Sequence, residues 1–482
     1  MMKEQIILLL AVFLPLAGAF ILPLAGRISP RLRNSLALGF VLTSFACVAA
    51  IIPLVSSGKE ILISSRFTSG FNFIFLADGL AVFMACVSSF ISAIIVLYSF
   101  DYIEHYENRN EYYSMVSLFL GSMMGLIFSA DLILLYIFWE MTAIASWRLV
   151  GFFREKTYVL RADKTFLVTV SGALIMLIGF ISIYQQAGSF DLLILRQALK
   201  VNPLSHLAVF LILVGIFSKS ATLPFHTWLP DAGVAPSPVT ALLHAAVLVK
   251  IGVYVFARLF LATFTLEQFW HTAVPIIAAT SAIVSAGAAL VDTDLKRIIA
   301  YSTISQIGFI FFGLAIGNEL AVTGALLYIL MHGIAKAGLF LCAGIVEQNT
   351  KTKDITAMGG LITTMPVTAI SFLFCAFSVM GIPPFGGFFS KYMIFAGAAQ
   401  TEQLWLGGIF LTGAFLTIIY LFRVFYLVFL GHPQINTAKE AGRVMVFSVA
   451  ILALLSFFGG ILINYPAALV KTAVSQMSGV VK

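Results

Sequence analysis

Glu140, Lys219, Lys250, the pair His332 and Lys336, and Lys391 are titratable side chains set in sequence otherwise apolar enough to span a bilayer. An ionisable group in hydrocarbon costs several kcal/mol unless it pairs or lines a wet cavity, so each marks a candidate ion path. Burial and the loss of a counter-charge both weaken the charged form of a lysine, which lets it pass a proton on. One such group or pair on each of several successive helices suits stepwise proton transfer. Glu140 lies roughly nine residues into its span and hence near mid-membrane at about 1.5 Å per residue. Lys219 is similarly deep and is its best partner. A static ion pair would stabilise little. A working pair would let Lys219 keep its proton while Glu140 is close and release it when Glu140 moves away.

The remaining charged groups are graded by their surroundings. His244 precedes Lys250 by six residues, about 9 Å along a helix but on a different face. His332 and Lys336 are one turn apart and share a face, which makes them a better relay than a lone histidine. Arg423 is expected to snorkel to the inner face, and Arg148, eight residues after Glu140, to do the same. Asp78, Asp131 and Asp231 sit at span ends and read as caps or interface residues.

Two proline breaks flank this set: LPFHTWLP at 223–230 and IPPFGGFF at 382–389. Pro224 leaves the carbonyl of Ser220 without its helical donor, and Pro383 and Pro384 do the same for Val379 and Met380. Such carbonyls, at that depth, need water, a cation or an ammonium group. A lone proline would be a packing kink. Two breaks, each beside a lysine (Lys219 and Lys391) and five spans apart, predict an inverted repeat, because an odd offset reverses the sense of crossing.

These groups must be held by helices. Of the 482 residues, 61% are hydrophobic and 10% charged, too few polar groups to cover a soluble surface. Apolar runs of roughly 18 to 28 residues predict about 14 transmembrane helices. The chain therefore reads as an all-α integral membrane protein with two inverted five-helix repeats (spans 4–8 and 9–13), each containing a broken helix. Helices 1–3 occupy 1–112, the first repeat 113–262, the second 270–430 and a C-terminal helix 443–482. The third span is expected at 73–100, and the seventh and twelfth at 206–229 and 366–396. The first span is too long an apolar run for a signal peptide and reads as a retained helix. No gap has room for a separate soluble domain.

The formal charge of +7 is mostly an orientation signal. Placing both termini outside gives inner loops about 14 Lys/Arg and outer loops about 8. The basic residues are scattered between spans, so no nucleic acid is expected as a partner; the inner loops suit anionic lipid or an acidic partner. Cys47, Cys86, Cys342 and Cys375 fall within spans without C-x-x-C spacing. There is no iron–sulfur motif, no G-x-G-x-x-G and no Walker A loop. Neither a cofactor nor a metal is expected in this chain, and any redox or nucleotide chemistry would belong to another subunit.

The motifs together resemble one family. They are WE in the fifth span, K-x4-PFHTWLPDA…APSPVTALLHAA…VK, DLKRIIAYSTISQIG (294–308), MHGIAKAGLFL (331–341) and GIPPFGGFFSK (381–391). The chain resembles, over essentially its whole length, the antiporter-like membrane subunits of complex I, Mrp antiporters and energy-converting membrane hydrogenases. The resemblance implies 14 helices, two half-channels and a central hydrophilic axis. It implies Glu140 and Lys219 as the coupling pair, Lys250 as the connecting group and Lys391 as the terminal one. It implies a cell-membrane complex with further antiporter-like subunits and a redox arm, moving protons or sodium. The favoured expectation is a redox-driven pump of hydrogenase or quinone/ferredoxin oxidoreductase type. The alternative is a subunit-D-like component of an Mrp-type Na+/H+ antiporter without redox activity. The sequence stops soon after the fourteenth span, short of the lateral helix of the distal complex I subunit. Arg148 departs from the family pattern, and the sequence alone offers no account of it.

Overall fold

The computed structural model describes the chain apart from residues 1, 69–70, 200–202, 402–403, 433–437 and 479–482. Helices α1 (Met2–Ile28) and α2 (Pro30–Ser56) lead into a two-stranded antiparallel hairpin, β1 (Ile61–Thr68) and β2 (Phe71–Ala77), in which Ile61 faces Ala77. Helix α3 (Gly79–Tyr102) follows, and then the first unit: α4 (Arg109–Phe128), α5 (Leu132–Val150), α6 (Lys156–Ala187), the short α7 (Leu192–Ala198), α8 (His206–Lys219), α9 (Trp228–Asp231), α10 (Ser237–Ala241) and α11 (Leu248–Phe260). Then come α12 (Gln268–Val291), α13 (Leu295–Ile316), α14 (Glu319–Thr350), α15 (Pro366–Met380), α16 (Gly386–Ala399) and α17 (Leu404–Phe425). The chain continues through α18 (Arg443–Ile461) and α19 (Asn464–Ser478).

Among the described residues, 12 helices are long and apolar enough to cross a membrane. The other two expected passages, the seventh and twelfth, are the broken helices. Their leading halves, α8 and α15, have 14 and 15 residues, too few to span at about 1.5 Å each.

The third span begins at Gly79, not at residue 73. Asp78 caps α3 by accepting from the Ala81 amide at 2.9 Å, which fixes the helix start. The residues before it, rich in Phe and Ile, pair as a hairpin; a short apolar run does not by itself separate strand from helix. The Ala130 amide donates to Ile74 O at 2.9 Å, tying the hairpin to the α4–α5 turn.

The two five-helix units repeat the same devices. Asp131 caps α5 through the amides of Ile133 and Leu134 (2.9 and 3.1 Å). Asp294 caps α13 through that of Arg297 (3.0 Å). Each of these aspartates also sits in an antiparallel bridge, Asp131 with Asp191 and Asp294 with Asp354. Each unit ends in a helix containing a π turn, Leu242–Ala246 in one and Tyr426–Leu430 in the other.

The core lies on the helices that carry the titratable groups. All of the best membrane window within Ser237–Phe260 is buried, and 94% of that in α14, against 28% in α2. Charged links join the elements at their ends. Asp231 accepts from Lys164 of α6 (2.7 Å) and from Arg297 of α13 (3.0 Å), so it bridges the two units.

Arg148 also finds its partner. Its guanidinium donates from Nε at 2.8 Å and from Nη2 to Glu111 Oε1, while Arg154 Nη2 reaches Glu111 Oε2 at 2.5 Å. Glu111 belongs to α4, so this cluster staples α4 to the end of α5. The partners are partly exposed, so solvent screening limits the pair to about 1 kcal/mol or less. Arg148→Ala is therefore expected to lower thermal stability slightly and to leave ion transport intact. Lost transport in a normally stable variant would place Arg148 in the ion path instead.

Candidate functional site

The first pair sits where α5 meets the end of α8. Lys219 is the last residue of α8 and is fully buried. Its ammonium donates to the carbonyl of Trp139 at 3.1 Å and lies 5.4 Å from the Trp139 ring centre. Glu140 is the next residue, and its Oε1 is buried without a partner among the described residues. The expected direct Glu140–Lys219 ion pair is not formed: among the described residues, none of the ion pairs within 4.0 Å joins them. The lysine is held instead by the backbone of Trp139, the residue before Glu140.

Pro224 follows directly. The indole of Trp228 donates to Ser218 O at 2.9 Å and so covers one carbonyl of the opened turn. Helix α11 packs on this break through Gly252, where a Cβ would lie 2.0 Å from Ser220 Oγ.

Lys250, also fully buried, donates to the carbonyl of Ile329 on α14 at 2.7 Å. Gly333, one turn further along α14, leaves room for it: a Cβ there would stand 2.5 Å from the Lys250 ammonium. His244 was expected on a different face from Lys250. In the structure both reach α14, because His244 lies in the π turn, where the Val247 amide donates to Leu242 O at 2.9 Å. The extra residue per turn, together with Val247 at φ −128 and ψ −77, rotates the segment before Lys250. The His244 ring packs on Phe340 with centroids 4.3 Å apart. Neither its nitrogens nor those of His332 has a partner among the described residues.

Lys336 donates to Ile299 O (3.0 Å) and to Ser302 Oγ (2.6 Å), both on α13. From Ser302 a polar chain runs onward. Tyr420 OH donates to Ser302 Oγ (2.7 Å), and Gln306 Nε2 reaches Tyr420 OH at 3.5 Å and Thr417 Oγ1 at 3.2 Å. Tyr328 OH donates to Gln306 Oε1 at 2.6 Å. The ring of Tyr328 lies under the Lys391 ammonium, 5.4 Å from its centre. Lys391 itself donates to Val379 O at 2.6 Å, one of the carbonyls that the prolines leave free.

The structure thus joins Lys336 to Lys391 and sets Glu140 beside Lys219. It carries Lys250 and His332 to the same stretch of α14, without a described side-chain bond between Lys219 and Lys250. Arg423 donates to Asp292 O at 2.9 Å, at the end of α12, as a snorkelling side chain would. Sequence reasoning missed Ser302, Gln306, Tyr328 and Tyr420. A glutamine one turn from a serine inside an apolar span was the available signal. It also missed Arg258, whose guanidinium meets both oxygens of Asp78 at 2.5 and 2.7 Å.

Residues 129–417 match the family described as NADH:quinone oxidoreductase/Mrp antiporter, and residues 67–113 match the N-terminal region of complex I chain 5. The chain belongs to the NADH:quinone oxidoreductase/Mrp antiporter family. It is 34% identical, over 98% of its length, to Na(+)/H(+) antiporter subunit A1 of Staphylococcus haemolyticus, and 32% identical over 97% to that of Staphylococcus aureus. It spans 63% of the length of these curated relatives. The fold matches a chain of the Mrp complex from Dietzia sp. with a TM-score of 0.90 at 22% identity, covering 99% of this chain and 98% of that one. It also matches a chain of the membrane-bound sulfane sulfur reductase, an archaeal respiratory membrane complex, with a TM-score of 0.89 at 25% identity over 98% of both chains.

For this family member the hydrogen bond from Lys391 to Val379 sharpens one question, whether the lysine carries protons or only anchors the broken helix. An arginine keeps the charge and the donors but does not titrate in the useful range; a glutamate can titrate when buried. If Lys391 carries protons, Lys391→Arg is expected to lower proton uptake in vesicles to below about a tenth of native, and Lys391→Glu to retain more than arginine does. An active arginine variant would leave Lys391 as an anchor alone.

Proposed function

We propose that this chain is an ion-translocating subunit of a multisubunit Mrp-type Na+/H+ antiporter in the cell membrane, and that protons move along its buried Glu140–Lys219–Lys250–His332/Lys336–Lys391 axis. The observation that carries this reading is the pair of broken helices with a lysine at each break, connected through α14 by further buried lysine. The named relatives support the antiporter over the redox-driven pump that the sequence favoured, and they are A1 subunits rather than the expected subunit-D type. Other membrane subunits are its partners in this reading, with both termini outside and the basic loops in the cytoplasm.

Glu140 sets the first step. Its approach to Lys219 favours the ammonium, and its withdrawal leaves that charge to the Trp139 carbonyl and the indole face. The proton then leaves toward Lys250. His244 and His332, whose ring nitrogens have no described protein partner, can exchange protons with ordered water. Lys336, Ser302, Tyr420, Gln306 and Tyr328 carry the line toward Lys391 and the second break.

A second reading, a subunit of a redox-driven complex, draws on the 25% identity with the sulfane sulfur reductase chain. Mass spectrometry of the native complex separates the two: small antiporter subunits support the first, and iron–sulfur or flavin subunits support the second.

In sealed vesicles carrying the assembled complex, Glu140→Gln and Lys219→Ala are each expected to cut sodium-driven proton exchange to below about a tenth. The double variant should be no worse than either single one, because residues acting as a unit are non-additive. Native exchange by Lys219→Ala would refute the assignment.

A further inference from the structure

Helix α11 carries a line of polar groups that branches from the axis at Lys250 and continues through two residues the axis does not use. Lys250, Tyr254 and Arg258 follow one another at four-residue steps, so they form a stripe along one side of the helix, about 12 Å long at about 1.5 Å per residue. All three are buried. Arg258 Nε donates to Tyr254 OH at 3.0 Å, and Tyr254 OH donates to the carbonyl of Ile127. The guanidinium closes on Asp78 with two parallel bonds of 2.5 and 2.7 Å. Directly beyond lies a small cleft next to the hairpin, of about 20 Å³ and so with room for about one water, lined by Glu60, Asp78, Arg196, Arg258, Thr263 and Gln476 among others.

We propose that this stripe is a second proton port, running from Lys250 to the hairpin-side cleft, and that the Asp78–Arg258 pair is its gate. The proposal rests on the reading of Lys250 as a proton carrier. In the closed state seen here, both Asp78 oxygens are held by Arg258, and the Tyr254 hydroxyl proton points to Ile127. Among the described residues no hydrogen bond links Lys250 to Tyr254 or Tyr254 to Asp78, and Arg258 stands between the last two. Arginine does not titrate, so Arg258 blocks rather than carries. When the pair opens, the Lys250 ammonium passes a proton through water to the Tyr254 oxygen as the Tyr254 hydroxyl proton moves to an Asp78 oxygen. Lysine is left neutral, the phenol intact and Asp78 protonated, and Asp78 then loses its proton to water in the cleft. The port gives the first unit an opening on the face where the hairpin lies.

Removing one partner of a buried pair strands the other charge, so the test uses the neutral double variant Asp78→Asn/Arg258→Gln. Its asparagine oxygen can still cap Ala81. The complex is placed in sealed vesicles without sodium, and a pH step is applied across the membrane. The double variant is expected to collapse the step at least about threefold faster than native. Adding Tyr254→Phe, or Lys250→Met, should restore the native rate. A tight, assembled double variant would show a static clamp and overturn the port. A leak that persists with Tyr254→Phe would show general packing damage and overturn it equally. If the double variant does not assemble, Arg258→Lys, which keeps the charge but loses the two-pronged grip, is compared with and without Tyr254→Phe by the same criteria. Sodium-driven exchange is measured on the same native vesicles. Its absence would remove the antiporter reading, whereas normal exchange with an unchanged leak would remove the port alone.

Discussion

An ammonium group inside a membrane bundle must be solvated by protein or by water, and here the backbone supplies part of that solvation. Lys219, Lys250, Lys336 and Lys391 each donate to a main-chain carbonyl, those of Trp139, Ile329, Ile299 and Val379. A carbonyl has two lone pairs, so it can serve its own helix and a lysine as well. At Val379 the proline break has already removed the helical donor. A hydrogen bond involving a charged group is worth about 1.5–3 kcal/mol, whereas desolvating the ion costs several kcal/mol. The carbonyl alone does not cover that cost, so each ammonium depends on its wider surroundings as well. An ion pair within 4.0 Å would hold the proton more firmly, and none joins these four lysines to a carboxylate among the described residues.

That arrangement requires close backbone approach. Gly333 lets α14 pass the Lys250 ammonium, and Gly252 lets α11 pass the opened turn at Ser220. The π turn at Leu242–Ala246 turns His244 toward the same helix as Lys250. Away from the axis, charges are paired as usual, in the Glu111, Asp231 and Glu347 clusters at the helix ends. The contrast is between rim charges paired with carboxylates, which fasten helices, and lysines in the middle held by backbone carbonyls.

Much of this was legible in the sequence, because a charge in an apolar run and a proline in mid-span stand out against composition. Glu140, the four lysines and both breaks were found that way. The tyrosines and Gln306 were not, since each is tolerated in an apolar helix and acquires meaning only when α13, α14 and α17 meet. The face of His244 was misjudged because a π turn leaves no periodic trace. Arg148 had no account because its partner, Glu111, lies 37 positions away on another helix. The end of the second strand, from residue 73, was read as the start of the third span because Phe and Ile suit both a strand and a membrane helix.

Lys336 tests the central claim most directly, since it stands between the α11 side of the axis and the polar chain leading to Lys391. Lys336→Met removes the charge and keeps most of the length and apolar volume. Sodium-driven proton exchange should then fall below about a tenth of native in vesicles whose complex is fully assembled. Exchange at the native rate would mean that protons do not pass through this lysine, and would contradict a single axis joining the two broken helices.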